Sequence, residues 1–225
     1  MRLYIGNIQP FMKLDGIELV TAERRVRIQH YVQPADQARC LVAGLLLRKV
    51  CGVTDDSQLI FSKNGKPYLK NDRLCFNISH AGDYVVLATA DCEVGVDIEK
   101  SVPYDDAVAA RCFTPAEQKW LQEQGTDEAF YYLWTAKESI MKGSGLGLSL
   151  PPETFCVLPV DSSPHTIGGN VWFLNWFSQD EHIICSAILG KAEQVELITV
   201  SSILDCEAKI LYNTDPVPDD NDHDH

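Results

Sequence analysis

Apolar and polar positions along the chain follow two periods in turn, and each change of period marks a new element. Runs with period two at residues 3–5, 59–62, 75–79, 84–90 and 93–99 predict strands, because successive side chains of a strand face opposite ways. Thr21 is placed to cap a helix whose first turn carries Glu23. A second helix is predicted over 34–50, where Cys40, Leu41, Leu45 and Val50 fit helical spacing and Gly52 supplies a stop. Asn64-Gly65 and Ala81-Gly82-Asp83 read as turns between strands. Helices are then predicted at 103–111, 115–124 and 127–142, and strands at 154–158, 171–178, 182–189 and 196–200. Helix followed by strand, twice over, predicts an α+β fold of two similar subdomains, 1–100 and 101–212, with an acidic, disordered tail at 213–225.

Charge narrows the partners. The formal net charge is -13, which disfavours nonspecific binding to nucleic acid or anionic membranes, where affinity comes from lysine and arginine neutralising phosphates. Basic residues nevertheless gather early, at Arg24, Arg25, Arg27, Arg39, Arg48 and Lys49, so a local anion site is compatible with an acidic protein. The eight cysteines form no Cys-x-x-Cys pair and have no histidine at metal-ligand spacing, which predicts reduced thiols. The first residues lack a secretory signal, and the longest apolar run, 41–47, is too short to cross a bilayer, so the expected location is cytoplasmic.

Two segments carry candidate chemistry. In Gly95-Val96-Asp97-Ile98-Glu99-Lys100, read as a strand, Asp97 and Glu99 project to one side while Val96 and Ile98 face a core. In Trp134-Thr135-Ala136-Lys137-Glu138-Ser139-Ile140-Met141-Lys142, read as a helix, Trp134, Glu138 and Lys142 form one stripe. Three carboxylates on rigid elements with a lysine beyond the third suit Mg²⁺, which takes hard oxygen ligands and keeps room for substrate phosphates. Each segment alone has a plainer reading. A lone Asp-x-Glu is ordinarily the solvated face of an edge strand, and Glu138 with Lys142 an ordinary helical ion pair. The glycine-rich stretch 143–147 follows a helix instead of linking a strand to one, so it is no dinucleotide loop.

The two motifs in this order and spacing resemble the paired signature of the 4′-phosphopantetheinyl transferases. Further segments are similar to the larger, monomeric, surfactin-synthetase-activating type: Thr21-Ala22-Glu23-Arg24-Arg25, Ala38-Arg39, Asn64-Gly65-Lys66-Pro67, Phe76-Asn77-Ile78-Ser79-His80, Phe113-Thr114-Pro115-Ala116-Glu117 and Gly145-Leu146-Gly147-Leu148-Ser149-Leu150-Pro151. Beyond about residue 159 the likeness thins. The resemblance implies a pseudo-dimeric fold with the active site in the cleft between its halves, and transfer of the phosphopantetheine arm of coenzyme A to a serine of an apo acyl or peptidyl carrier protein. It assigns Asp97, Glu99 and Glu138 as Mg²⁺ ligands, Asp97 also facing coenzyme A, with Lys142 over the diphosphate. His80, with Ser79 beside it, and Arg24, Arg27 and Arg39 are expected at the 3′-phosphate; the best-known relative has lysine where this chain has Arg24 and Arg27. Lys66 is expected near the adenine, its plainer reading being a turn lysine in solvent. Glu138 is the expected base for the serine proton and Glu117 the second choice, although a carboxylate in a helix's first turn is favourable whatever its role. Lys137 is expected to face the carrier or solvent, and Trp134 to anchor the helix by packing. A metal-dependent phosphohydrolase, or a module that binds coenzyme A or a carrier without turnover, are the competing functions.

Overall fold

The computed structural model describes residues 1–70, 74–200 and 208–211, so the expected tail at 213–225 lies outside the described residues. In chain order its elements are β1 (Arg2–Asn7), α1 (Ala22–His30), α2 (Pro34–Cys51), β2 (Leu59–Phe61), β3 (Pro67–Leu69), β4 (Cys75–Ala81), β5 (Tyr84–Ala90), β6 (Val94–Lys100), α3 (Asp106–Cys112), α4 (Pro115–Gln124) and α5 (Asp127–Gly143), followed by β7 (Pro164–Ile167), β8 (Asn170–Gln179), β9 (His182–Leu189), β10 (Glu196–Val200) and β11 (Ala208–Leu211). The strands form a five-stranded sheet in the order β11-β10-β1-β5-β4, a four-stranded sheet β6-β9-β8-β7, and the small β2-β3 hairpin.

Strand alternation sorts the core into layers. On β1 and β5 of the first sheet, Leu3, Ile5, Val86 and Ala88 face Val96, Ile98, Ile184 and Ile188 of the second. The opposite face of the first sheet, Val85 and Leu87, packs under Leu41, Leu45 and Leu46 of α2. The opposite face of the second, with Trp172, Leu174, Cys185 and Ala187, packs under Leu133, Ile140 and their neighbours from α5. Two sheets lie face to face with helices outside, the expected α+β architecture.

The halves also meet edge to edge, and this junction positions the site. At the free edge of the first sheet β4 runs beside β6, the edge strand of the second, and the Asn77 Oδ1 accepts from the Val96 N–H at 2.9 Å. Asn77 thereby satisfies a backbone donor that β6 would otherwise leave buried without a partner.

Three expectations are corrected by the backbone. β6, expected to close the first half, pairs along its whole length with β9, Asp97 opposite Cys185 and Glu99 opposite Ile183, and so belongs to the second sheet. β10, from the end of the chain, instead joins the first sheet, parallel to β1. The strand predicted at 154–158 is absent: Pro152–Thr154 is a 3-10 turn, and the carbonyls of Pro152 and Phe155 accept from the Lys137 ammonium at 2.8 and 2.5 Å. The sheet's outer strand is β7, which the sequence reading missed.

Candidate active site

Helix α5 places the candidate polar stripe by burying almost everything else. From Leu133 to Gly143 every residue is buried except Trp134, Glu138 and Lys142, the three residues spaced by four. One line of polar side chains therefore emerges from a helix otherwise sunk in the core. It emerges beside β6 because glycines let helix and strand touch: a Cβ on Gly95 would lie 1.8 Å from the Ser139 carbonyl oxygen and 2.5 Å from the Gly143 nitrogen. Asp97 and Glu99, on the same face of β6 as Gly95, are brought against Glu138 and Lys142.

Asp97 is the centre. It is 2% exposed, and its Oδ1 accepts from the Ser79 hydroxyl at 2.8 Å and from the Lys142 ammonium at 2.5 Å. Its Oδ2 is buried and has no hydrogen-bond partner. A buried carboxylate oxygen left bare is costly unless a cation or donor meets it. Burial, with a further push from Asp97 and then Glu138, raises the Glu99 carboxyl to about 7, against the opposing pull of Lys142 and of the nearby Trp134 side chain. Trp134, expected to be a packing anchor, stacks on Phe130. Glu138 is likewise raised, by burial and Asp97 and against Lys142. One ammonium among three mutually repelling carboxylates leaves a deficit of positive charge.

Strand β4 separates this centre from a second one. Alternation sends Ser79 toward Asp97, while Phe76, Ile78 and His80 face a cleft of about 300 Å³ on the other side. Arg24 and Arg27 of α1 line it, with Cys40, Ala43 and Leu47 of α2 and with Leu59, Phe61, Gly65 and Pro67 of the β2-β3 hairpin. Gly44 lets α1 lie against α2 here, because a Cβ would fall 2.3 Å from the Arg24 Cδ. The Arg24 guanidinium donates to the Cys40 carbonyl at 3.3 Å, and burial pulls its pKa down. Arg39 is held by Asp36 and by the Gly82 carbonyl, both at 2.6 Å. Burial, then the charge of Arg39, lowers the pKa of His80. The cleft wall thus carries Arg24, Arg27 and His80 together with Glu23, Asp36 and Asp56, and Arg39 reaches it through its pair with Asp36; its guanidinium groups and imidazole could receive an anion where the carboxylates are turned away.

Two expected site residues, Glu117 and Lys66, are bound to other partners, and Lys137 is not at the surface. Glu117 is fully buried in the second half: its Oε2 accepts from the Thr114 N–H and hydroxyl and pairs with Lys137 at 2.9 Å, and its Oε1 accepts from the Val157 N–H at 2.8 Å. With both oxygens bound and no solvent access it cannot take a substrate proton. Lys137, expected at the surface, is its buried partner, with its ammonium over the Phe155 ring. Lys66 is neither a solvent lysine nor part of the cleft wall; its ammonium is buried against Glu93, Val94 and Gly143. Among the described residues no group of three or more His, Cys, Asp and Glu side chains is arranged to hold a metal ion.

Comparison with known proteins gives this pairing of cleft and carboxylates a family. The profile of the 4'-phosphopantetheinyl transferase superfamily matches residues 93–196, and that of the 4'-phosphopantetheinyl transferase N-terminal region matches residues 13–92. A 4'-phosphopantetheinyl transferase of Bacillus subtilis is 33% identical over 202 residues, covering 82% of this chain and 90% of that protein. The chain belongs to the 4'-phosphopantetheinyl transferase family. It is a transferase of the surfactin-synthetase-activating type, 35% identical over 150 residues, 63% of the chain and 67% of the relative, to the Sfp protein of Bacillus subtilis strain 168. Likeness extends to animals: the L-aminoadipate-semialdehyde dehydrogenase-phosphopantetheinyl transferase of Xenopus laevis is 34% identical over 168 residues, 63% of this chain and 55% of that one. The boundary between the two matched regions, at residues 92 and 93, falls just before β6 of the transferase.

Proposed function

We propose that the transferase moves the 4′-phosphopantetheine arm of coenzyme A to a serine hydroxyl of an apo acyl or peptidyl carrier protein, releasing 3′,5′-adenosine bisphosphate. The observation that carries this reading is Asp97: a buried carboxylate, bare at Oδ2, flanked by two carboxylates and one strand away from a cleft lined by Arg24, Arg27 and His80. Such a donor set suits Mg²⁺, with Asp97, Glu99 and Glu138 as the protein ligands, and holding the ion calls for side chains to turn toward it. When bound, Mg²⁺ neutralises the diphosphate and stabilises the leaving phosphate.

The residues then divide the work. Arg24, Arg27, Arg39 and His80 hold the 3′-phosphate in the cleft, so the diphosphate reaches round the end of β4 toward Ser79 and Lys142. The Lys142 ammonium offsets charge that grows on the phosphate oxygens in the transition state. Glu138, half-buried and raised in pKa, accepts the proton as the serine oxygen forms its bond to the phosphorus of the arm. The bond from that phosphorus to the bridging oxygen breaks, and the bisphosphate leaves with the electron pair.

Every residue of this reading comes from β4, β6, α5 and the helices of one chain, which supports action as a monomer. The seven described cysteines are free thiols, which suits a reducing cytoplasm. No described helix is long and apolar enough to cross a membrane. The test is the dependence of bisphosphate release on acceptor: release only with an apo carrier present supports the proposal, and equal release without one makes the protein a hydrolase.

A further inference from the structure

Lys66 sits in the turn of the β2-β3 hairpin, yet its side chain leaves the hairpin and crosses to the other half. The ammonium donates to the Gly143 carbonyl at 2.6 Å, to Glu93 Oε2 at 2.5 Å and to the Val94 carbonyl at 3.3 Å. An ammonium has three protons, and here each has an acceptor. The residue is 7% exposed. Gly143 is the last residue of α5 and Val94 the first of β6, so Lys66 caps a helix C-terminus where a cation is favoured. Asn64 makes a parallel link, its Nδ2 donating to the Gly145 carbonyl at 2.9 Å. The other side of the same hairpin supplies Leu59, Phe61, Gly65 and Pro67 to the cleft that holds Arg24, Arg27 and His80.

One short hairpin therefore joins the cleft wall to the helix that carries Glu138 and Lys142. The geometry points to Lys66 as a positioning residue: it sets the separation between the anion cleft and the carboxylate centre, and it acts through α5 and β6 without touching coenzyme A. This rests on the transferase reading above. Glu93 would then share the role, because it anchors the ammonium from a position outside both cleft and centre.

The experiment compares Lys66→Met and Glu93→Gln with the full-length wild type. It measures kcat and KM for transfer to an apo carrier, calorimetric affinity for adenosine 3′-monophosphate, and melting temperature. The monophosphate carries the 3′-phosphate and none of the diphosphate, so it reports the cleft without the alignment. Expected are a kcat reduced by about ten- to a hundredfold in Lys66→Met, as for a misplacement of order 1 Å, a smaller loss of kcat in Glu93→Gln, and monophosphate affinity within about twofold of wild type in both. Lys66→Arg should recover part of the loss. A tenfold weaker monophosphate in Lys66→Met with kcat intact would show a direct coenzyme contact and overturn the inference; so would unchanged kinetics in both variants. If Lys66→Met does not fold, Glu93→Gln, with its side chain 35% exposed, decides alone. Failure of the wild type to bind or transfer would instead sink the transferase reading.

Discussion

Gly95 and Ser139 touch backbone to backbone: a Cβ on the glycine would fall 1.8 Å from the serine's carbonyl oxygen. The neighbour is helix backbone, which cannot swing aside as a long side chain would. Gly95→Ala must push α5 off β6, separating Glu138 and Lys142 from Asp97 and Glu99. The expected result is a loss of about 3 kcal/mol, the upper end of ordinary overpacking, together with a fall in kcat larger than the folded fraction explains. Denaturant unfolding and kinetics on the same sample check it.

Glu117 and Lys137 should behave as a structural pair. Both are fully buried and 2.9 Å apart, and removing one partner strands a charge, which costs about 3–5 kcal/mol. Glu117→Gln is expected to unfold at much lower denaturant while the molecules that remain folded turn over at the wild-type rate. Loss of kcat with stability intact would return Glu117 to the catalytic centre.

The opposite signature is expected at the centre. Asp97→Asn keeps the shape and a bond to Ser79 but removes the charge that holds Lys142 and the oxygen proposed for the metal. Transfer should fall by at least about a hundredfold, the scale of losing one key electrostatic contact, with the urea midpoint at or above that of the wild type, since a buried carboxylate beside two others repels them. A normal rate in this variant would remove Asp97 from the mechanism.

The carboxylate motifs were legible because both are local. Val96 and Ile98 need one face of a strand, which puts Asp97 and Glu99 on the other, and the Trp134, Glu138, Lys142 spacing needs only a helix. What was not legible depends on distant partners. Nothing in residues 93–99 says whether the strand joins the first sheet or the second. The alternation of Phe155 and Val157 looks like a strand, but the Phe155 carbonyl serves Lys137 and the Val157 N–H serves Glu117, so no sheet partner is needed. Lys66 was expected near the adenine, or else in solvent as a turn lysine, because its three acceptors come from the distant residues 93, 94 and 143. The Thr-Pro-Ala-Glu run at 114–117 carries a capping box that explained Glu117 without any catalytic role.

Acidity should oppose the metal. Glu99 titrates near 7 in the metal-free protein because burial and Asp97 disfavour its charge, so between the ordinary carboxylate range and about 7 the folded protein holds a proton the unfolded chain has lost. Stability of the metal-free protein from this group therefore falls as pH rises through that window. Mg²⁺ requires the ionised form, so its binding reverses the penalty. The melting temperature should rise with added Mg²⁺ at pH 8 and scarcely change at pH 5.5, and Glu99→Gln should flatten the difference. A Mg²⁺ shift of equal size at both values would contradict this account of Glu99.

The most direct measurement is the intact mass of an apo carrier protein after incubation with the transferase, coenzyme A and Mg²⁺, across a panel of acyl and peptidyl carriers. The account predicts a single addition equal to the phosphopantetheine arm, located on one serine, and absent with the Asp97→Asn protein. Carriers that all keep their starting mass, while the protein is folded and coenzyme A and Mg²⁺ are in excess, would contradict it.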